Sequence, residues 1–157
     1  MRLSLTRFLL TLAVSFMALP AGAQSQPAGV QLLPMMELNA DIHRIETEMA
    51  FTQQTRMRGL MGRKVMGPMH GMLFVFESPA AKECMWMRNT LIPLSVAFLD
   101  ERGKILNVED MAPQTETNHC SAGRAKYALE MNLGWFKQRG IGAGMSIGGI
   151  ERAPAAR

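Results

Sequence analysis

The sequence predicts an α+β domain that is mainly β, a compact antiparallel sheet curled into a small barrel with two short helices. Its apolar runs are short, five or six residues, and are bounded by Gly, Pro, Ser or Asp, which is the pattern of strands joined by tight turns. No long stretch of helical period alternates with those runs, so the βαβ rhythm of a parallel sheet is not expected. The chain that follows the N-terminal leader is 134 residues long, enough for one core and too little for two.

Each element follows from local pattern. Around Glu37 a mobile, period-free segment gives way to imperfect alternation, with Ile45, Thr47 and Met49 opposed by Arg44, Glu46 and Glu48, which predicts a strand. Thr52 can cap a helix over 52–61, with Phe51 as a staple and Met57, Leu60 and Met61 on one face; Gly59 weakens that helix and Gly62 ends it. The run Met72-Leu73-Phe74-Val75-Phe76 lies between Gly71 and Ser78-Pro79 and reads as a strand buried on both faces. Strands are also predicted at 84–87 and 94–99. Asp100-Glu101-Arg102-Gly103 is a hairpin loop leading to a partner strand at 104–108. Tyr127, Leu129 and Met131 alternate with Ala128 and Glu130 in a further strand, a helical turn spans 135–139, and 145–147 forms the last strand.

The first 23 residues carry Arg2 and Arg7, then the uncharged stretch Phe8 to Pro20, then Ala21-Gly22-Ala23, the small-x-small pattern of a signal-peptidase site. Thirteen uncharged residues fall short of the roughly 20 that a membrane-spanning helix needs. The expectation is therefore a cleaved signal peptide at 1–23, a flexible lead-in at 24–36, a single domain at 37–152 and a tail at 153–157. The mature protein is expected in the periplasm or secreted, without a stable membrane span. Two of the 17 basic residues and none of the 13 acidic ones lie in the leader, which leaves the mature chain near +2. Its longest basic run is Arg63-Lys64, so a nucleic-acid partner is not expected. Oligomeric state has no signature here.

Two cysteines, Cys84 and Cys120, follow the leader. An even count in an exported chain favours a disulfide, with buried free thiols or soft metal ligands as alternatives. Methionine occurs 15 times, and Met66, Met69 and Met72 surround His70 in a segment that offers soft ligands for cuprous copper. The same thioethers fill irregular core gaps equally well, so copper is the alternative and no cofactor is the first expectation. Zinc-ligand pairs, a Gly-x-Ser-x-Gly elbow, a phosphate loop and a dinucleotide turn are all missing from the sequence, which points away from an enzyme of familiar type. His119 beside Cys120 is poorly placed to activate its neighbour, because adjacent residues on an extended chain point to opposite sides.

The stretch Cys84 to Phe98 interrupts two apolar segments with Arg88-Asn89-Thr90 and Pro93. Turn chemistry explains those polar residues. They also suit a cleft in which Trp86 is an aromatic platform beside Arg88, Asn89 and Thr90, able to seat a small polar or anionic ligand. Glu130 sits mid-strand between Leu129 and Met131, either on a solvated face or paired with Arg88 or Arg63.

The ordered motifs RGLMGR (58–63), GMLFVF (71–76), MWMRNTLIPL (85–94) and YALEM (127–131), with a glycine-rich close at 140–144, resemble the bacterial and archaeal family catalogued as domain of unknown function 192. The resemblance covers about 42–150. It implies a compact, mostly β single domain of unassigned activity, with recurring polar positions at Arg63, Arg88, Asn89, Thr90 and Glu130. Two positions depart from the family pattern: Ser95 and Met145 stand where members often carry aspartate. Those departures count against a hydrolytic or divalent-metal role.

Overall fold

A computed structural model describes residues 32–157; the expected signal peptide and most of the lead-in, through residue 31, lie outside the described residues. Strand β1 (Met35–Ala40) turns at Asp41, whose φ of 54° is one that Asp tolerates, and returns as β2 (His43–Ala50). The single strand expected here is thus a hairpin.

Helix α1 (Gln53–Arg58) starts at Thr52 as expected, in a reciprocal cap: Thr55 N–H donates to Thr52 Oγ1 (3.1 Å), and Thr52 N–H donates to Thr55 Oγ1 (2.9 Å). It ends at Gly59 rather than Gly62, because Gly59 adopts a φ of 46° that a side chain would resist. Its expected apolar face is also revised. Leu60 is buried, but Met57 is exposed and Thr55 is the residue that α1 buries.

Strand β3 (His70–Ala80) then runs parallel to β2, from Glu46↔His70 to Ala50↔Phe74. A parallel pair needs a crossover, and α1 with residues 59–69 supplies it. The fold therefore contains one parallel pairing that the sequence does not predict. β4 (Cys84–Met85) is shorter than expected and pairs with β7 (His119–Cys120) in a small separate ribbon. Cys84 and Cys120 are partners in that ribbon and form a disulfide, with sulfurs 2.13 Å apart.

The remaining strands are antiparallel: β5 (Leu94–Leu99), β6 (Ile105–Met111), β8 (Ala125–Asn132) and the two-residue β9 (Ile147–Gly148). The main sheet has the order β6-β5-β8-β3-β2-β1-β9. Its two ends meet. Ile105 N–H donates to Met145 O (2.8 Å), Gly144 N–H to Ile105 O (2.8 Å) and Ile147 N–H to Gly103 O (2.9 Å). The sheet is thereby curled into a half-barrel, which confirms the mainly β, α+β class with two short helices, α1 and α2 (Trp135–Gln138).

Both faces are packed. Leu38, Ile45, Leu73, Val75, Leu129 and Trp135 belong to one cluster. Phe74, Met72, Met87, Val96, Phe98 and Ala128 belong to the other. On β3, Leu73 and Val75 join the first cluster and Met72 and Phe74 the second, so this strand is buried on both sides, as its unbroken apolar run predicts. Among the described residues no helix is long and apolar enough to cross a membrane.

The β3–β8 contact is tight. A Cβ added at Gly71 would stand 2.5 Å from the Glu130 carbonyl oxygen and also meet the Met131 sulfur. Gly71→Ala is expected to destabilise the domain by about 1–3 kcal/mol, the usual range for overpacking, as read from denaturant midpoints; an unchanged midpoint would show that the strands part freely. Replacing both Cys84 and Cys120 with Ser should cost about 4 kcal/mol in the same assay, from the loop entropy released to the unfolded chain. Intact mass after denaturing alkylation without reductant should show no added label on the native protein.

Candidate functional site

Glu130 is the most informative residue in the fold. On β8 it shares the face of Ala128, and its cross-strand neighbours are Met72 on β3 and Val96 on β5, both members of the second apolar cluster. Its side chain is only 3% exposed. Neither the solvated face nor the pairing with Arg63 or Arg88 expected from sequence is found. Arg63 instead donates through Nη2 to both carboxylate oxygens of Glu48 on β2 (2.6 and 2.8 Å). Arg88 lies 3.7 Å from Glu116 and 5.9 Å from the Trp86 ring. Among the described residues, no side chain or backbone group forms a hydrogen bond or ion pair with the Glu130 carboxyl. Burial pushes this carboxyl from its ordinary value of 4.5 up to about 8, so it is largely protonated at neutral pH.

Glu130 is not sealed in. It lines a pocket of about 280 Å³ whose apolar wall includes Leu60, Phe74 and Phe76 and whose rim is formed by the end of α1 and the disulfide ribbon. Trp86, Arg88 and Thr90 line the same pocket. Four of the six ligand-binding residues expected from sequence are thus brought together from two distant segments, whereas Arg63 and Asn89 are not among the lining residues. Trp86 is 44% exposed and Met87 is fully buried, so the indole faces outward, opposite its neighbour.

The Arg88-Asn89-Thr90 step is both a turn and a wall. Thr90 N–H donates to Met87 O (3.0 Å), and Asn89 has a φ of 56°, a conformation that asparagine tolerates better than most residues. Asn89 O accepts from Gly62 N–H (2.9 Å), which ties the turn to the segment after α1. Asn89 therefore serves the turn, while its two neighbours face the pocket.

Two lining arginines escape a sequence reading, Arg56 and Arg58. Arg56 is structurally committed, donating to Phe51 O (2.9 Å), Val75 O (3.1 Å) and Glu77 Oε1 (2.9 Å). The Arg58 side chain forms no hydrogen bond or ion pair with a described residue. Their i, i+2 spacing on a six-residue helix carries no signal for a shared site.

The soft-ligand set divides between the two faces of the sheet. Met66 and Met72 belong with the second cluster, Met69 with the first, and His70 Nε2 lies 2.9 Å from Glu46 Oε2. Met69 sulfur accepts from Arg139 Nη2 at 3.7 Å. Ser95 keeps a carboxylate beside it despite its departure from the family pattern: Ser95 Oγ donates to Oδ1 of Asp110, its cross-strand partner on β6, at 2.5 Å, and Ser95 Oγ accepts from Gly134 N–H at 2.8 Å.

The chain belongs to the family described as DUF192, an "Uncharacterized ACR", whose profile matches residues 35–149. Among solved structures it is similar to a protein of unknown function from Novosphingobium aromaticivorans DSM 12444, at 30% identity and a TM-score of 0.72, over 76% of this chain and 88% of that one. It is also similar to a protein from Sinorhizobium meliloti 1021 described as a candidate transcription regulator, at 34% identity and a TM-score of 0.66, over 71% of this chain and 88% of that one. No curated protein gives a significant match.

The Glu130 carboxyl gives stability a definite pH sign. Its folded value lies above its unfolded one, so the native state holds an extra proton between pH 4.5 and about 8. Its contribution is greatest below that window and is lost as pH rises through it, by up to about 1.4 kcal/mol per pH unit. Glu130→Gln should therefore gain on the wild type by about 3–5 kcal/mol between pH 5 and pH 9. Denaturant midpoints at pH 5, 7 and 9 read this directly, and a difference that stays flat across the series contradicts it.

Proposed function

We propose that this domain is exported and acts as a non-catalytic binding or accessory module, whose pocket takes a small polar or anionic ligand. The observation that carries the proposal is the convergence of Trp86, Arg88, Thr90 and Glu130, joined by Arg58, on one pocket of about 280 Å³. That volume lies just below the roughly 300–1,000 Å³ of drug-sized sites, which suits a small metabolite. The lining combines an aromatic surface, guanidinium groups and one buried carboxyl in a mainly apolar wall, the balance found in small-molecule sites.

The absence of an activated nucleophile supports the non-catalytic part. No serine or histidine lines the pocket among the described residues, and the one lining cysteine, Cys84, is bonded to Cys120. Thr90 supplies a hydroxyl, but no base is hydrogen-bonded to it among the described residues. Export is supported by the leader at 1–23 and is consistent with the disulfide, which persists in oxidising compartments. Transcription regulation, the description given to the Sinorhizobium relative, finds little support in the charge pattern, since Arg63 of the longest basic run is held by Glu48.

A thermal-shift screen of organic acids, sugars and cell-wall fragments tests the proposal. A ligand at a hundred times its Kd adds about 2.7 kcal/mol, which raises Tm by several degrees for a domain of this size. Arg88→Ala should abolish that shift. A ligand that stabilises wild type and variant equally binds elsewhere, and the pocket loses its assignment.

A further inference from the structure

We infer that the ligand is amphoteric, a small molecule of the amino-acid class whose ammonium group meets Glu130 and whose carboxylate meets Arg58 and Arg88. The inference rests on the binding proposal above and names its ligand class.

The two ends of the pocket ask for opposite charges. At the floor, Glu130 is 3% exposed, and among the described residues its carboxyl has no hydrogen-bond or ion-pair partner. The fully enclosed polar atoms without a partner are Trp135 Nε1 and Arg139 Nε among the described residues, so the Glu130 oxygens reach the pocket space, where a donor that fails to pair with them forgoes on the order of 1–3 kcal/mol. Its cross-strand neighbours, Met72 and Val96, offer no donor. The open side faces the pocket, and a donor, water or ligand, comes from there.

At the rim the demand is reversed. Arg58 forms no ion pair with a described residue, and Arg88 has only Glu116, at 3.7 Å and with both side chains mostly exposed, a geometry worth little. The other charged lining groups are Arg56, which is committed to Phe51, Val75 and Glu77, and Glu83, which adds an acidic side chain to the lining beside the disulfide ribbon. Burial raises the proton affinity of Glu130. A simple anion would satisfy the rim and leave the floor unpaired. A simple amine would do the reverse. A zwitterion satisfies both, and the volume of the pocket suits an amino acid.

The proton balance follows. An ammonium group pairs with a carboxylate, so the protonated Glu130 must release its proton to solvent as the zwitterion enters; no bond to the ligand forms or breaks. Close to one proton per ligand should be released at pH 7, and affinity should rise about tenfold from pH 6 to 7 and about fivefold from pH 7 to 8.

Isothermal titration of the mature chain, disulfide intact, decides the matter. The probes are the twenty common L-amino acids, D-alanine and D-glutamate, with acetate and ethylamine as one-ended controls, at pH 7 in two buffers of different ionisation enthalpy. At least one amino acid should bind ten or more times tighter than either control, with a buffer-dependent heat that reports proton release. Glu130→Gln, shown to be folded by its Tm, should lose both the proton release and the preference over acetate. Acetate binding as tightly as any amino acid, or binding accompanied by proton uptake, overturns the amphoteric ligand while the binding proposal stands. So does a set of silent amino acids when the thermal screen finds an Arg88-dependent ligand lacking an amino group. Silence in both assays removes the binding proposal itself.

Discussion

The structure depends on one constraint: its two central strands, β3 and β8, are covered on both faces. One face is enclosed as the sheet curls and its end strands meet through the backbone bonds of Gly103, Ile105 and Ile147. The other is roofed by Leu60 after α1, by Met87, and by the disulfide ribbon. A polar side chain in the middle of these strands is committed to the interior wherever it points, unlike His70 and Glu77 nearer the ends of β3. Glu130 is the case in which a charged residue type meets that commitment, and the pocket is the place where the roof over the second face stays incomplete. Low dielectric and the lack of a partner then raise its proton affinity.

The arginines around this face sort by how fully they are engaged. Arg63 and Arg56 hold elements together, the first binding Glu48 on β2 and the second spanning Phe51, Val75 and Glu77. They act as struts. Arg58 and Arg88 lie at the pocket rim with little or no internal partner, and a guanidinium in that state is available to an incoming anion. The disulfide gives this rim its footing, because Cys84 lies two residues before Trp86 and four before Arg88. Without that anchor a two-strand ribbon of two residues each would hold its side chains only loosely.

Much of the architecture was legible in local pattern. The unbroken run 72–76 is a strand buried on both faces, Thr52 is a helix cap, and 100–103 is a hairpin loop in which Asp100 Oδ1 accepts from Arg102 and Lys104 N–H, because each is decided by nearest neighbours. The parallel pairing of β2 with β3 was not legible. It is carried by a six-residue helix and an irregular connection, too short to print a helical period on the sequence. The two-residue β7 is equally silent, whereas β9 overlaps the last strand expected at 145–147 and begins two residues later. The end of α1 moved to Gly59 because φ, and not residue type alone, decides which of two glycines stops a helix.

The sequence by itself determined a mainly β domain, the identity of the paired cysteines as its only two, and a set of polar residues grouped at 86–90 and 130. Those rest on composition and on periods of two or four residues, which the chain carries wherever it folds. Tertiary structure alone decided that Arg63 turns to Glu48 while Glu130 stays unpaired, that the methionines around His70 split between two faces, and that Arg58 joins Arg88 at one rim. Each of those outcomes depends on strand order and on the curl of the sheet, which set distances between residues that no local spacing records.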